Sequence, residues 1–232
     1  MEPHVAVENR YQSLDAWHEV DSYFTEVLID EDEALVAARL SGSSTTMPNA
    51  EVAANQAAFL QLLVKMSGAK RVLEFGTLAG YSTIWFARAV GSGGFVCTLE
   101  LEPENADVAR RNFVRAGVLE RIELIVGPAA ASVADLVSSK VEPFDVVFID
   151  ADKPRNPSYL EAALALTGSG ALIILDNVVR NGAVVDADSD DPRVIGTRTA
   201  AQMIAEHPEL EATALQTVGV KGWDGLIVAR RI

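Results

Sequence analysis

Two periodicities divide the chain. Up to about residue 66, apolar residues recur at three- and four-residue spacing over 14–29, 31–40 and 50–66, which predicts three helices. A polar break, Ser41-Gly42-Ser43-Ser44-Thr45-Thr46, separates the second from the third. Met47-Pro48-Asn49 follows, with Asn49 placed to cap the third helix. From residue 71 the pattern changes. Short apolar runs at 71–76, 95–101, 122–127, 144–150 and 171–176 alternate with helical stretches near 80–90, 104–116, 130–138 and 159–166. Apolar runs without alternation are the mark of strands buried on both faces, so five such units predict a parallel sheet covered on both sides. A further helix over 194–206 precedes strands at 210–218 and 225–231. Gly222-Trp223-Asp224-Gly225 reads as the turn of a closing antiparallel hairpin.

The expected architecture is therefore α/β: a Rossmann-like three-layer sandwich. Its mostly parallel seven-stranded sheet ends in an antiparallel hairpin, and extra helices precede it. We expect one domain, with 1–45 as accessory helices and 46–232 as the core; there is no internal repeat.

Composition removes some classes of function. Hydrophobic residues at 49% and charged residues at 22% exclude a disordered chain. No run approaches the roughly 18 apolar residues of a membrane span, and Met1-Glu2-Pro3-His4 lacks the basic and apolar regions of a signal peptide. A single cysteine, Cys97, suits a reducing interior, so the expectation is a cytoplasmic protein without a membrane partner. The net charge is −14 and the 19 Lys and Arg are scattered, so no nucleic-acid partner is expected.

The first strand ends Val72-Leu73-Glu74-Phe75-Gly76 and continues Thr77-Leu78-Ala79-Gly80-Tyr81-Ser82 into a helix. Glycines after a first strand let the backbone turn tightly and approach a ligand, and ligands of open α/β sheets lie beyond the carboxyl ends of the strands. Only Gly76 and Gly80 are present, so the three-glycine dinucleotide pattern is incomplete and no phosphate-loop lysine follows. Glu74 would repel a pyrophosphate but suits a ligand carrying an ammonium and a sulfonium. Glu100 closes the second strand twenty residues after Gly80, where an acid accepts hydrogen bonds from ribose hydroxyls. Together these residues point to S-adenosylmethionine, although a glycine pair alone can be a structural turn.

Carboxylates also end later strands. The fourth closes Phe148-Ile149-Asp150-Ala151-Asp152-Lys153 and the fifth Leu175-Asp176-Asn177. If these strands are neighbours, Asp150, Asp176 and the Asn177 amide form an all-oxygen set suited to a hard divalent cation: Mg²⁺ first, Ca²⁺ or Mn²⁺ as alternatives. The bland alternative is helix capping. Lys153 lies close enough to Asp150 to act as a base. The acidic run Asp186-Ala187-Asp188-Ser189-Asp190-Asp191 lacks the glycine and glutamate of a calcium loop and reads as a solvated loop.

The turn at 72–83, the Asp150-Ala151-Asp152-Lys153 segment and Asp176-Asn177 together resemble the cation-dependent O-methyltransferases typified by catechol and caffeoyl-CoA O-methyltransferases. The resemblance covers roughly 45–232. It implies that Glu74, Gly76, Leu78 and Ser82 surround the amino-acid part of S-adenosylmethionine, with Met47 and Asn49 closing over it. It places Glu100 at the ribose, and Leu101 with Gly127-Pro128-Ala129 beside the adenine. Asp150, Asp176 and Asn177 would hold the cation, with Asp150 and Lys153 as the catalytic pair. It further implies a small aromatic acceptor with vicinal hydroxyls, and a homodimer. Arg155 and Asn156 depart from the family's Asn-Tyr after the lysine, although Tyr159 falls where a tyrosine is expected, and Gly170-Ala171 departs from its paired glycines.

A phenol near pKa 10 is scarcely ionised at neutral pH, so a chelating cation and a lysine held as the neutral amine would be needed to form the attacking oxygen. His4, His18 and His207 read as surface or capping residues and Cys97 as core. Trp17 and Trp85 read as packing; Trp223 reads the same way or as a wall for an aromatic substrate. Rival readings are a nicotinamide dehydrogenase on the same fold, a non-catalytic adenosylmethionine-binding protein and an RNA methyltransferase. The missing third glycine, the intact Asp150, Lys153, Asp176 and Asn177, and the acidic surface argue against each in turn.

Overall fold

The computed structural model describes residues 13–232; His4 and the rest of the segment 1–12 lie outside them. The first helices are α1 (Leu14–Leu28), α2 (Glu33–Ser41) and α3 (Ala54–Met66). Ser13 accepts from Ala16 N to cap α1, and Asp32 accepts from Leu35 N at 3.0 Å to cap α2. Asn49 does not cap α3, which starts four residues later than its pattern suggests. Asn49 sits at φ 62° in a turn closed by Ala50 N donating to Met47 O, and Ala53 occupies the cap position. The backbone of a capping residue is extended, and the left-handed turn at Asn49 forbids that.

Five parallel strands follow, β1 (Arg71–Phe75), β2 (Phe95–Glu100), β3 (Ile122–Val126), β4 (Phe144–Ile149) and β5 (Thr167–Asp176). Helices α4 (Tyr81–Ala89), α5 (Pro103–Arg115), α6 (Ala129–Ser138) and α7 (Asn156–Leu166) connect them. Then come α8 (Pro192–Glu206) and the antiparallel strands β6 (Leu210–Gly219) and β7 (Gly222–Arg231). The sheet order is β3-β2-β1-β4-β5-β7-β6, so β7 lies between β5 and β6. The hairpin turn is Val220-Lys221, flanked by Gly219 and Gly222, and Trp223 and Asp224 belong to β7 rather than to the turn.

Side chains alternate across the strands, and each face builds its own core. Val72, Val146, Phe148 and Ile174 pack under α3, α4 and α5 with Leu60, Phe86 and Phe113. Leu73, Val147, Ile149 and Ile173 pack against α7 and α8 with Leu160, Ala163 and Ile204. These are the three expected layers. β3 departs from the double burial expected of it, because it has a neighbour on one side only and remains partly exposed. No described helix is long and apolar enough to cross a membrane.

Candidate functional site

The carboxyl ends of β1, β2, β4 and β5 converge, because all four strands run parallel and adjacent. Beyond β1 the chain turns through Gly76 at φ 97°, Leu78 at φ 51° and Gly80 at φ 79°. A Cβ on Gly76 would lie 2.3 Å from the Asp150 carbonyl oxygen, so the turn can pass this close to β4 only without a side chain. Glu100 holds the turn from below. One of its oxygens accepts from Thr77 N at 3.3 Å and Leu78 N at 2.7 Å; the other accepts from Glu102 N at 2.9 Å and Asn105 Nδ2 at 3.2 Å.

A cavity of about 730 Å³ opens over this turn. Gly76, Leu78, Ser82 and Glu100 line its floor, Leu101, Gly127 and Ala129 one side, and Met47 the lip. Asp150, Lys153 and Asn177 close the far end. Three expected neighbours of this space are elsewhere. Glu74 is fully buried behind the wall, where Ser82 and Thr83 Oγ1 donate to it at 2.5 Å and Thr98 Oγ1 at 2.7 Å. It faces the first turn of α4 because three hydroxyls there and on β2 compensate its burial. Burial pushes its carboxyl up to about 7 against the pull of those hydroxyls. Pro128 lies at the amino end of α6 with its carbonyl accepting from Ala131 N, outside the lining. Asn49 lines a second cavity, and its carbonyl accepts from Lys221 Nζ at 2.9 Å.

That second cavity, of about 590 Å³, lies between α1, α3 and the β6–β7 hairpin. The two cavities share Ala50, Glu51, Val52, Asn177 and Arg180. In the larger cavity Lys153, 7% exposed, donates from Nζ to Asp150 Oδ1 at 2.8 Å. Asp176, 3% exposed, accepts from Gln56 Nε2 and from Asn177 N, each at 2.7 Å. Burial, then the charge of Asp150, push the Asp176 carboxyl well above the usual carboxylate range. Two carboxylates and an amide oxygen at one spot, with like charges in mutual repulsion, are the donor chemistry that a hard divalent cation fits. Among the described residues no group of three or more His, Cys, Asp and Glu is arranged to hold a metal ion, so an amide must complete any such set.

Three residues at this place carry no sequence signal. Gln56 reaches Asp176 from 120 residues away, and Asn105 ties Glu100 to Thr46. Arg180 lines both cavities. Tyr159, at the position where the resemblance leads one to expect a tyrosine, donates to Asp152 beside Lys153. Trp223 lines neither cavity; its ring packs on Gly182 and its Nε1 donates to Gln216 Oε1 at 2.8 Å. His18 is exposed on α1 and His207 ends α8, both away from the site; Cys97 and Trp85 are core residues.

A family model described as O-methyltransferase matches residues 25–232. The catechol O-methyltransferase of Mycobacterium tuberculosis is 47% identical over 211 residues, 91% of this chain and 94% of that protein. The crystal structure of an O-methyltransferase from Bacillus cereus in complex with SAH (S-adenosylhomocysteine) superposes with a TM-score of 0.92 at 48% identity, covering 95% of this chain and 100% of that one. The O-methyltransferase involved in tomaymycin synthesis in Streptomyces achromogenes, solved in complex with SAM, gives a TM-score of 0.92 at 41% identity over 94% of this chain and 98% of that one.

Proposed function

The chain belongs to the O-methyltransferase family, and from that membership we propose that it transfers the methyl group of S-adenosylmethionine to one hydroxyl of a catechol-like acceptor with the help of a divalent cation. The observation that carries this reading is the pair of buried Lys153 and half-buried Asp150 in the wall of the larger cavity, which adjoins a second cavity open to another ligand.

Adenosylmethionine would occupy the larger cavity. Glu100 would face the ribose with both oxygens already bonded, to Thr77 N, Leu78 N, Glu102 N and Asn105 Nδ2, so a ribose hydroxyl would share or displace one of these bonds. Gly76 and Leu78 would present backbone to the amino-acid part with Ser82 beside it, Met47 would cover the ligand from the lip, and Leu101, Gly127 and Ala129 would flank the adenine. We assign Glu74, Asn49 and Pro128 supporting rather than contacting positions. A divalent cation bound by Asp150, Asp176 and Asn177 would supply the charge that favours an ionised acceptor hydroxyl. The hydroxyl proton passes to Nζ of Lys153, which must enter the step as the neutral amine. The oxygen then attacks the methyl carbon in line; the carbon–sulfur bond breaks as the oxygen–carbon bond forms, and S-adenosylhomocysteine leaves. Positioning at roughly 3 Å is the larger share of the acceleration, and the rigid strand ends provide it.

We also read 46–232 as the catalytic core and 1–45 as accessory, and place the enzyme in the cytoplasm, a reading its lone buried thiol supports. A homodimer is supported by the exposed stripe Val20, Tyr23, Phe24, Val27 and Leu28 on α1. Methyl transfer from labelled adenosylmethionine to catechols, with Mg²⁺ and with EDTA, tests the reaction. Activity lost with EDTA and restored by Mg²⁺ is expected; activity indifferent to EDTA would remove the cation, and no transfer to any catechol would remove the acceptor.

A further inference from the structure

Arg180 occupies a position no catalytic step above requires. It follows the strand end Asp176-Asn177 and sits at φ 56°, a left-handed backbone that a non-glycine residue adopts only when its surroundings impose it. Those surroundings are evident. Asp224 Oδ1 accepts from both Val179 N at 3.1 Å and Arg180 N at 3.3 Å, and the Trp223 ring packs so closely on Gly182 that a Cβ there would lie 2.8 Å from it. The loop is thus clamped to β7, and the Arg180 side chain lines both cavities where they meet.

Its Nε is buried without a hydrogen-bond partner, and no ion pair among the described residues includes it. Asp224 is engaged by backbone N–H groups, Asp176 by Gln56 and Asn177, and Asp191 by Arg193; Glu51, which lines both cavities with Arg180, pairs through Oε1 with Lys221 while its Oε2 has no partner. A buried donor without a partner costs stability, and a guanidinium matches a carboxylate with two parallel hydrogen bonds. The residues of the adenosylmethionine turn line only the larger cavity, whereas Arg180 also faces the second.

We propose that Arg180 is a specificity residue that binds an acidic group on the methyl acceptor, so that the preferred acceptors are catechols bearing a carboxylate. This rests on the catechol reading above and deepens it. A pair of charge-assisted hydrogen bonds is worth about 10- to 100-fold in binding.

The test compares kcat/KM for 3,4-dihydroxybenzoate and for catechol in wild type, Arg180→Gln and Arg180→Glu. The ratio of acid to catechol is expected to fall about 10- to 100-fold in Arg180→Gln, and further in Arg180→Glu, with a gain for a catechol bearing an amine. An unchanged ratio overturns the proposal. So does a raised KM for adenosylmethionine with an unchanged ratio, which would assign the guanidinium to the cofactor's own carboxylate. Should wild type methylate neither compound, the catechol reading fails by itself. Calorimetry of benzoate on the protein loaded with S-adenosylhomocysteine then decides: binding lost in Arg180→Gln upholds the anion contact, and no binding to wild type refutes it.

Discussion

Glu74 ties the stability of the protein to pH in a way that can be worked out in advance. Its carboxyl is fully buried and is raised from an ordinary 4.5 to about 7, desolvation outweighing the hydroxyls of Ser82, Thr83 and Thr98. The folded state therefore holds the proton more tightly than the unfolded chain does. The stabilisation this gives is fully present below pH 4.5 and is lost as pH rises through about 7. At 1.36 kcal/mol for each tenfold change in proton affinity, the loss is about 3 kcal/mol by pH 8. Glu74→Gln keeps the shape and one acceptor oxygen but removes the titration. In thermal melts of the ligand-free protein from pH 4.5 to 8, wild type should lose about 6–12 °C relative to the variant, at roughly 2–4 °C for each kcal/mol in a chain of this size. Asp176 titrates in both proteins and largely cancels in the comparison. Melting curves that stay parallel across this range would refute the reasoning, since the buried carboxyl would then have an ordinary affinity for its proton.

Further outcomes follow from single contacts. Gly76→Ala forces a Cβ to 2.3 Å from the Asp150 carbonyl at a φ of 97°, and should cost about 2–4 kcal/mol in denaturant melts and abolish adenosylmethionine binding by calorimetry. Lys153→Met should lower kcat by about 10²- to 10⁴-fold while affinity for adenosylmethionine changes little, measured by initial rates and calorimetry. Asp32→Ala removes the α2 cap and the 2.6 Å pair with Arg88, for a loss of about 1 kcal/mol at neutral pH. The Arg88 hydrogen bond holds the Asp32 carboxyl below its ordinary value, so the difference between wild type and variant should close as acid protonates it.

Much of this was legible from the chain, for reasons that can be named. Unbroken apolar runs such as Val146-Val147-Phe148-Ile149 send alternate residues into two cores, and that demands a covered parallel sheet. Asp150 and Asp176 meet because strand ends next to one another in a parallel sheet are close in space, so their position in sequence already located them. What failed was local backbone geometry. Gly225 looked like a turn residue, but its lack of a side chain lets β7 approach β6, where a Cβ would lie 2.3 Å from the Leu215 carbonyl. The same holds for Gly219, where a Cβ would meet Asp21 at 2.4 Å, a contact between residues about two hundred positions apart. Gln56, Asn105 and Arg180 stayed hidden because each acts through a tertiary contact that follows no period.

The position of β7 has a consequence for how the enzyme comes into being. The five parallel strands can pair in the order in which they are made, but β6 cannot join them, because its only partner in the sheet is the strand synthesised after it. The Asp224 clamp on the Arg180 loop and the hairpin tip that bonds to Asp21 also arrive with these last residues. A ribosome-bound chain short of β7 can thus hold its five parallel strands paired with one wall of the second cavity missing. Catalytic competence should then appear abruptly with the final strand rather than grow with chain length.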